Sequence, residues 1–260
     1  KITRGIEGSS WSNPWYKWFL NFFTDPYFGR LLKNTFMISG LTILFGFPAP
    51  IILALMINEV KNSAFKRTVQ TITYMPYFIS MVVLCGLLKT FCMQDGLFAQ
   101  IAVLFGGKAQ NYLANPAYFR TIYVLSDIWS GIGWNSIIYL AALSSIDQEQ
   151  YEAARVDGAN RFKQMIHITL PGLVPTIMIL FILRMGNILN VGYEKILLLY
   201  NSATYATAIS TYTYRLSFGG SGNPMYSKST AIGLFNTIIN VCFLMLTNLI
   251  SKKATDAGLF

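Results

Sequence analysis

The chain has 260 residues, and its composition excludes most classes of water-soluble protein. Hydrophobic residues make up 53% of it and charged residues only 12%, against about 25% charge in an ordinary soluble domain. A chain of this size with so few charges cannot cover a soluble surface with polar groups. The net charge of +9 could indicate nucleic-acid binding, but Lys and Arg also set the orientation of a membrane protein. The composition therefore predicts an all-α, polytopic membrane protein.

The gaps between charged residues predict where the chain crosses the membrane. A helix needs about 20 apolar residues to span the hydrocarbon core. Five uncharged stretches reach that length, and we expect five transmembrane helices at residues 34–58, 68–88, 128–146, 164–183 and 229–251. The gap at 96–107 is too short to span and predicts a surface helix. The gap at 196–214 is rich in Ser, Thr and Tyr and predicts an outer loop.

The distribution of Lys and Arg predicts the orientation of these helices. If the tail 251–260 is cytoplasmic, the inner segments hold Lys and Arg at about twice the density of the outer ones. The excess of Lys and Arg then reflects the orientation of the helices in the membrane, and no nucleic acid is expected as a partner. The Lys1 end lies outside, in an aromatic-rich segment, residues 1–33, typical of a membrane interface. Because no signal peptide is visible, we expect a sixth span ahead of Lys1 in the complete protein.

One predicted inner loop, residues 147–171, carries a specific pattern within the expected transmembrane domain 34–250. Asp147 is suited to be a helix N-cap, Gln148–Val156 fits about two and a half helical turns, and Gly158 supplies a stop or sharp turn. A second short helix, Asn160–Ile166, would lead into the next span. The small side chains of this loop, with charged residues at either end, predict a docking site for another protein on the cytoplasmic side.

The spacing of this loop resembles the EAA loop of permease subunits in binding-protein-dependent ABC importers. Gly158 stands four residues after Glu152-Ala153-Ala154, and nine residues separate it from Ile168-Thr169-Leu170-Pro171. The form Asp157-Gly158-Ala159 is similar to the maltose-type carbohydrate uptake family. Stretches such as residues 45–50, 69–76, 118–129 and 192–200 resemble its polysaccharide- and oligosaccharide-importing branch. The front of the chain departs from that family, which normally has one more span there.

This resemblance implies a type I ABC importer permease fold and a set of partners. Such a permease lies in the bacterial inner or plasma membrane among membrane lipid, and forms the translocation path as a heterodimer with a second permease. It receives carbohydrate from an extracellular solute-binding protein and couples to two ATPase subunits through the loop, which is a coupling helix in these importers. The residues implied for ATPase docking are Glu152, Ala153, Ala154, Asp157, Gly158, Ala159 and Arg161.

The sequence contains no pattern typical of catalysis or of a bound cofactor. No GxxxxGK[ST] phosphate loop occurs, so ATP and magnesium are expected on the partner ATPase and the chain is not expected to be an enzyme. The single histidine, His167, has no nucleophile or carboxylate arrangement beside it. Cys85, Cys92 and Cys242 lie in or beside apolar runs and are interpreted as packing residues. No metal site is expected.

Polar and aromatic residues within the predicted spans are candidates for the sugar route. Such a route needs amides and hydroxyls for the sugar hydroxyls and aromatic faces for the rings. The candidates are Asn135, Tyr139, Asn187, Asn190, Tyr193, Asn236 and Asn240. The alternative is that these side chains hold helices together by hydrogen bonds. Asp127 and Arg184, as charges near span interiors, are further functional candidates, and Gly131 and Gly133 permit close helix approach.

Two other functions stay open on the sequence. An ion-coupled secondary transporter would work without ATPase subunits, but the docking loop and the lack of paired intramembrane acids argue against it. A permease of the same fold could carry phosphate, peptides or amino acids instead of sugars. The ligand of the cognate binding protein would show which of these solutes the permease carries.

Overall fold

The computed structural model describes residues 14–199, 208–218, 224–255 and 258–259. In these ranges the regular structure consists of helices, and no strand is present. The α-helices are α1 Lys17–Phe23, α2 Phe28–Leu41, α3 Pro48–Glu59, α4 Ser63–Tyr74, α5 Met81–Cys92, α6 Leu97–Leu104, α7 Pro116–Ser144, α8 Gln148–Val156, α9 Arg161–Gln164, α10 Leu170–Met185, α11 Tyr193–Leu199, α12 Ile209–Phe218 and α13 Tyr226–Thr255. The predicted all-α class is confirmed.

Four helical segments of the described chain are long and apolar enough to cross a membrane. They are Phe28–Glu59, Met81–Leu104, Arg161–Met185 and Tyr226–Lys253. The first, third and fourth contain the predicted spans 34–58, 164–183 and 229–251. The predicted span 128–146 lies almost wholly in α7, which has 29 residues but is not one of the four segments. The number of spans therefore stays a prediction.

The predicted span 68–88 is wrong as a single helix. α4 ends at Tyr74, a 3-10 turn covers Met75–Phe78, and α5 begins only at Met81. The cause is Pro76, which has no N–H to donate and whose ring clashes with the preceding turn of an α-helix. The apolar segment begins after this break and runs through α6, which the sequence had placed at the surface.

The region 196–214, predicted as an outer loop, is helical where it is described. It holds the end of α11 and the beginning of α12, and residues 200–207 lie outside the described residues. Ile196, Leu199 and Ile209 are buried. The few apolar side chains in this polar stretch therefore anchor two short helices, which a count of Ser, Thr and Tyr does not predict.

The chain divides into two compact units, and each has its own core. The first unit comprises residues 1–40, 81–121 and 188–242, and the second comprises 41–80, 122–187 and 243–260. The core of the first unit contains Phe22, Leu31, Ile209 and Ile232. The core of the second contains Ala54, Tyr139, Leu143 and Leu173, so that α3, α7 and α10 pack together. The docking loop belongs to the second unit.

A buried ion pair joins three elements of the first unit. Lys228 Nζ lies 2.7 Å from Asp25 Oδ2, with the two side chains only 9% and 7% exposed. The Tyr212 hydroxyl donates to the same carboxylate oxygen at 2.6 Å. Burial raises the pKa of the Asp25 carboxyl, but hydrogen bonds from Lys228, Tyr212 and the Tyr27 N–H outweigh it, and the pKa lies below its ordinary value. These contacts connect the residues before α2 to α12 and to the first turn of α13.

Candidate functional site

The predicted docking loop begins as the sequence indicates. The Asp147 carboxylate accepts the N–H of Glu149 at 3.0 Å and caps α8. The Asn160 side chain accepts the N–H of Lys163 at 2.9 Å and caps α9. α9 then continues through a π-helical turn, Met165–Thr169, into α10. The predicted bounds of α8 are confirmed. The second short helix begins at Arg161, one residue later than predicted, because Asn160 is its cap, and it is joined to the following span.

The turn between the two helices is a Schellman motif centred on glycine. Gly158 has a φ of +76°, a conformation that costs a residue with a side chain about 1–2 kcal/mol. Its N–H donates to the Arg155 carbonyl at 3.1 Å, and the Ala159 N–H donates to the Ala154 carbonyl at 2.8 Å. These two bonds satisfy carbonyls at the end of α8. The predicted stop at Gly158 is therefore confirmed, and it fixes the direction in which α9 leaves α8.

The loop presents an exposed surface that mixes charges with apolar side chains. The predicted docking residues Glu152, Ala153, Asp157, Gly158 and Arg161 are exposed, and Ala154 and Ala159 are half-buried. Val156 is 88% exposed and Phe162 is 64% exposed, one on each side of the glycine turn. Exposed apolar side chains among charges are typical of protein-binding surfaces. The sequence reasoning missed these two residues, although they stand out as bulky apolar positions in a polar loop.

Arg161 connects the docking loop to the end of α3. Its Nη1 lies 3.1 Å from Oε2 of Glu59, and because the side chains are 56% and 41% exposed the pair contributes about 0–1 kcal/mol. A cavity of about 630 Å³ lies beside it, with Lys61, Arg155 and Tyr151 among its lining residues. The segment 58–61 thus forms part of this surface, and the sequence did not predict it because Glu59 and Arg161 are far apart along the chain.

A second cavity of the same unit holds two of the predicted sugar-route residues. It has a volume of about 200 Å³ and is lined by residues of α3, α7 and α10 and of the turn before α3. Asn135 and Tyr139, one helical turn apart on α7, both line it, and so do Asp127 and Arg184. An amide, a phenol, a carboxylate and a guanidinium therefore converge within a largely apolar wall. This combination is typical of a small-molecule site.

An aromatic pair marks the break in the second predicted span. Tyr77, in the 3-10 turn, stacks on Trp134 of α7 with ring centroids 4.6 Å apart and planes 5° apart. Both rings are exposed on part of their surface. Gly133 permits this approach, because a Cβ there would lie 2.1 Å from the Thr73 carbonyl oxygen. The backbone of α7 therefore touches the backbone of α4 next to the stacked rings.

The remaining route candidates have other surroundings. Asn187, in the turn after α10, donates to the Leu183 carbonyl of that helix at 3.2 Å. The Oδ1 of Asn240, which is buried, accepts the Leu189 N–H at 3.0 Å, as in the helix-holding alternative. These two amides therefore make contacts that stabilise the fold.

The three other candidates lie in the first unit. Asn190 is exposed, and the ring of Tyr193 stacks on Tyr214 with centroids 5.0 Å apart. The Oδ1 atom of Asn236 is buried and has no hydrogen-bond partner among the described residues. Their role on a sugar route stays a prediction, and of the seven candidates it is Asn135 and Tyr139 that line the cavity of about 200 Å³.

In the described part of the chain, no group of three or more His, Cys, Asp and Glu is placed to hold a metal ion. Cys85 and Cys92 are buried, as expected for packing residues, whereas Cys242 is exposed. His167 is exposed, and its Nδ1 lies 3.0 Å from the Lys163 carbonyl oxygen of the preceding turn.

The chain belongs to the family of inner membrane components of binding-protein-dependent transport systems, whose model matches residues 46–256. It is 41% identical over 259 residues to the polygalacturonan/rhamnogalacturonan transport system permease protein YteP of Bacillus subtilis (strain 168), covering 98% of this chain and 79% of that protein. Membership of this family makes the chain an ABC permease component and removes the secondary transporter from the alternatives.

Two solved structures contain a chain that is similar to this one. One is a bacterial ABC transporter involved in the import of the acidic polysaccharide alginate, with 44% identity, a TM-score of 0.87, and coverage of 92% of this chain and 84% of that chain. The other is a bacterial alginate ABC transporter in complex with its alginate pentasaccharide-bound periplasmic protein, with 44% identity, a TM-score of 0.88, and coverage of 93% and 84%. The importer permease fold implied by the EAA-type loop is confirmed.

Proposed function

We propose that this chain is the permease subunit of an ATP-driven importer of oligosaccharides or polysaccharide fragments. The observation that carries the proposal is the loop 147–171, which keeps the EAA register and folds as two capped helices around Gly158. The chain forms the translocation path with a second permease and takes its substrate from an extracellular solute-binding protein. Two ATPase subunits bind ATP and magnesium. The carbohydrate systems to which the similar chains belong support this assignment.

The docking loop couples ATP binding to transport through its shape and its charges. Closure of the two ATPases draws the coupling helices of the two permeases together and switches the access of the path. Glu152 bonds to groups at the rim of an ATPase groove, while Ala153 and Ala154 allow close packing. Val156 and Phe162, exposed beside the turn, enter the apolar part of that groove. ATP hydrolysis belongs to the partner and not to this chain.

The cavity beside α7 and α10 supports an acidic sugar as the substrate. A guanidinium binds a carboxylate through two parallel hydrogen bonds, and Arg184 lines the cavity together with Asn135 and Tyr139. The similar chain of known structure belongs to an importer of an acidic polysaccharide. In this proposal Arg184 binds the carboxylate of a uronate residue, and the amide and phenol bind its hydroxyls.

Replacing Arg184 should therefore affect charged substrates selectively. Because a hydrogen bond to a charged group is worth about 1.5–3 kcal/mol, we expect Arg184→Gln to slow the uptake of alginate oligosaccharides about tenfold or more. Arg184→Lys keeps the charge and should lose less. Uptake is measured in proteoliposomes with the complete complex and normalised to intact transporter. Equal uptake by Arg184→Gln and the wild type would contradict this role.

Cysteine labelling tests the predicted orientation in a variant without native cysteines. An impermeant maleimide added outside should modify a cysteine at Ala114, which is exposed and lies near the predicted outer position Tyr112. It should not modify one at Ser63 or at Asn160, both on predicted inner segments. Ser221, a further predicted outer position, lies outside the described residues. Modification of the Asn160 position from outside would show that the orientation is opposite to the predicted one.

A further inference from the structure

We infer that the coupling helix α8 acts on α10 through a hydrogen bond between Tyr151 and Thr169, so that the two helices move as one body. This inference rests on the proposed function, because it concerns how the docking loop passes ATPase movement into the membrane domain. It adds two positioning residues, neither of which is among the residues implied for docking by the EAA resemblance.

The link consists of three successive contacts across the loop. The Tyr151 hydroxyl lies 3.0 Å from Oγ1 of Thr169. Thr169 is buried, and its hydroxyl has the Gln164 carbonyl at 3.4 Å as an acceptor. Either of the two hydroxyls can donate in the bond between Tyr151 and Thr169. The Gln164 side chain in turn donates to the Ala159 carbonyl at 2.8 Å, which closes the chain of contacts beside the Gly158 turn.

The packing of α8 makes this hydrogen bond important. None of the residues of α8 is buried, so the helix has no core of its own to set its angle to the rest of the second unit. Its covalent connection to α9 runs through the glycine turn. A hydrogen bond to a buried partner on the far side of that turn therefore helps to set the orientation of α8.

The π-helical turn Met165–Thr169 places Thr169 where Tyr151 reaches it. A π turn inserts a residue into the helix, and one residue corresponds to a rotation of about 100° in an α-helix. Without this turn the Thr169 side chain would face a different direction. Such turns are less stable than α-helix and occur frequently at functional sites. The geometry of the link thus depends on a locally unfavourable backbone.

α10 is suited to carry the movement to the cavity of about 200 Å³. Its base is tightly packed, because a Cβ on Gly172 would lie 2.8 Å from Cδ1 of Ile146. Thr169 precedes its first residue, and Arg184 lies in its last turn, about 22 Å further along the helix axis. A displacement of α8 that is passed to Thr169 therefore shifts Arg184 relative to Asn135 on α7, which lines the same cavity.

Two conservative substitutions test the link. Tyr151→Phe and Thr169→Val each remove one hydroxyl and keep the shape of the side chain. ATP hydrolysis and uptake of an alginate oligosaccharide are measured together, with the complete complex and binding protein in proteoliposomes. We expect the number of sugars imported per ATP to fall about two- to tenfold in each variant, the effect of one hydrogen bond. The double variant should fall no further than Thr169→Val alone, because each single variant already lacks the bond between Tyr151 and Thr169.

Ser144→Ala is the matched control, since the Ser144 hydroxyl donates to the Leu140 carbonyl of its own helix at 2.9 Å. Its ratio of sugar to ATP should equal that of the wild type. An unchanged ratio in both test variants, additive losses in the double variant, or loss of intact complex with an unchanged ratio would each overturn the link. Absence of ATP-dependent uptake of any oligosaccharide by the wild-type complex would instead refute the proposed function, so uptake by the wild type is measured first.

Discussion

Replacing Gly158 with valine is expected to abolish ATP-driven uptake, whereas asparagine at the same position should retain most of it. The positive φ of Gly158 is strained for any side chain and most strongly for a β-branched one, while asparagine tolerates it. No atom lies within 4 Å of a Cβ at this position, so the conflict is in the backbone alone. The valine variant breaks the Schellman turn and redirects α9 away from the docking surface.

Uptake and co-purification of the ATPase subunits measure this effect. Gly106 provides the matched control, because it also has a positive φ and open space around a Cβ, and it lies outside the docking loop. Gly106→Val should destabilise the protein about as much as Gly158→Val does, but it should leave ATPase binding intact. Glu152→Lys, a charge reversal on the exposed face, should abolish transport with the permease still inserted. Normal uptake by Gly158→Val or by Glu152→Lys would refute the docking role of the loop.

The second large effect is expected at Gly133, where even one methyl group has no room. Its Cβ would lie 2.1 Å from the Thr73 carbonyl oxygen, and two backbones must separate to relieve the clash. We expect Gly133→Ala to destabilise the protein by about 3 kcal/mol, at the upper end for overpacking, and to lower the amount of folded permease in the membrane.

Gly131→Ala is the control on the same helix. A Cβ at Gly131 meets only the Nδ2 atom of Asn135, at 3.1 Å, and that amide can rotate away. Thermal unfolding of the purified protein should therefore show a clear loss for Gly133→Ala and little change for Gly131→Ala. Equal stability of the two variants would show that α4 and α7 are not held backbone to backbone.

Features that depend on neighbouring residues along the chain were predictable. Three of the predicted spans follow from runs without charge, because the cost of burying a charge in hydrocarbon acts wherever the helix lies. The cap at Asp147 and the stop at Gly158 were also predicted, since each satisfies backbone groups within a few residues. The span 68–88 was wrong as a single helix because a gap between charges passes over Pro76, whereas the backbone responds to that single residue.

Contacts between distant parts of the chain required the tertiary structure. Residue type alone placed Asn135 and Asn240 in one class, yet the first lines a cavity and the second accepts a backbone N–H 51 residues away. The same holds for Arg161 with Glu59 and for Tyr151 with Thr169, which are 102 and 18 residues apart. A side-chain amide or hydroxyl can bond equally well to substrate, solvent or another helix. Helix packing alone determines which of these partners comes within reach.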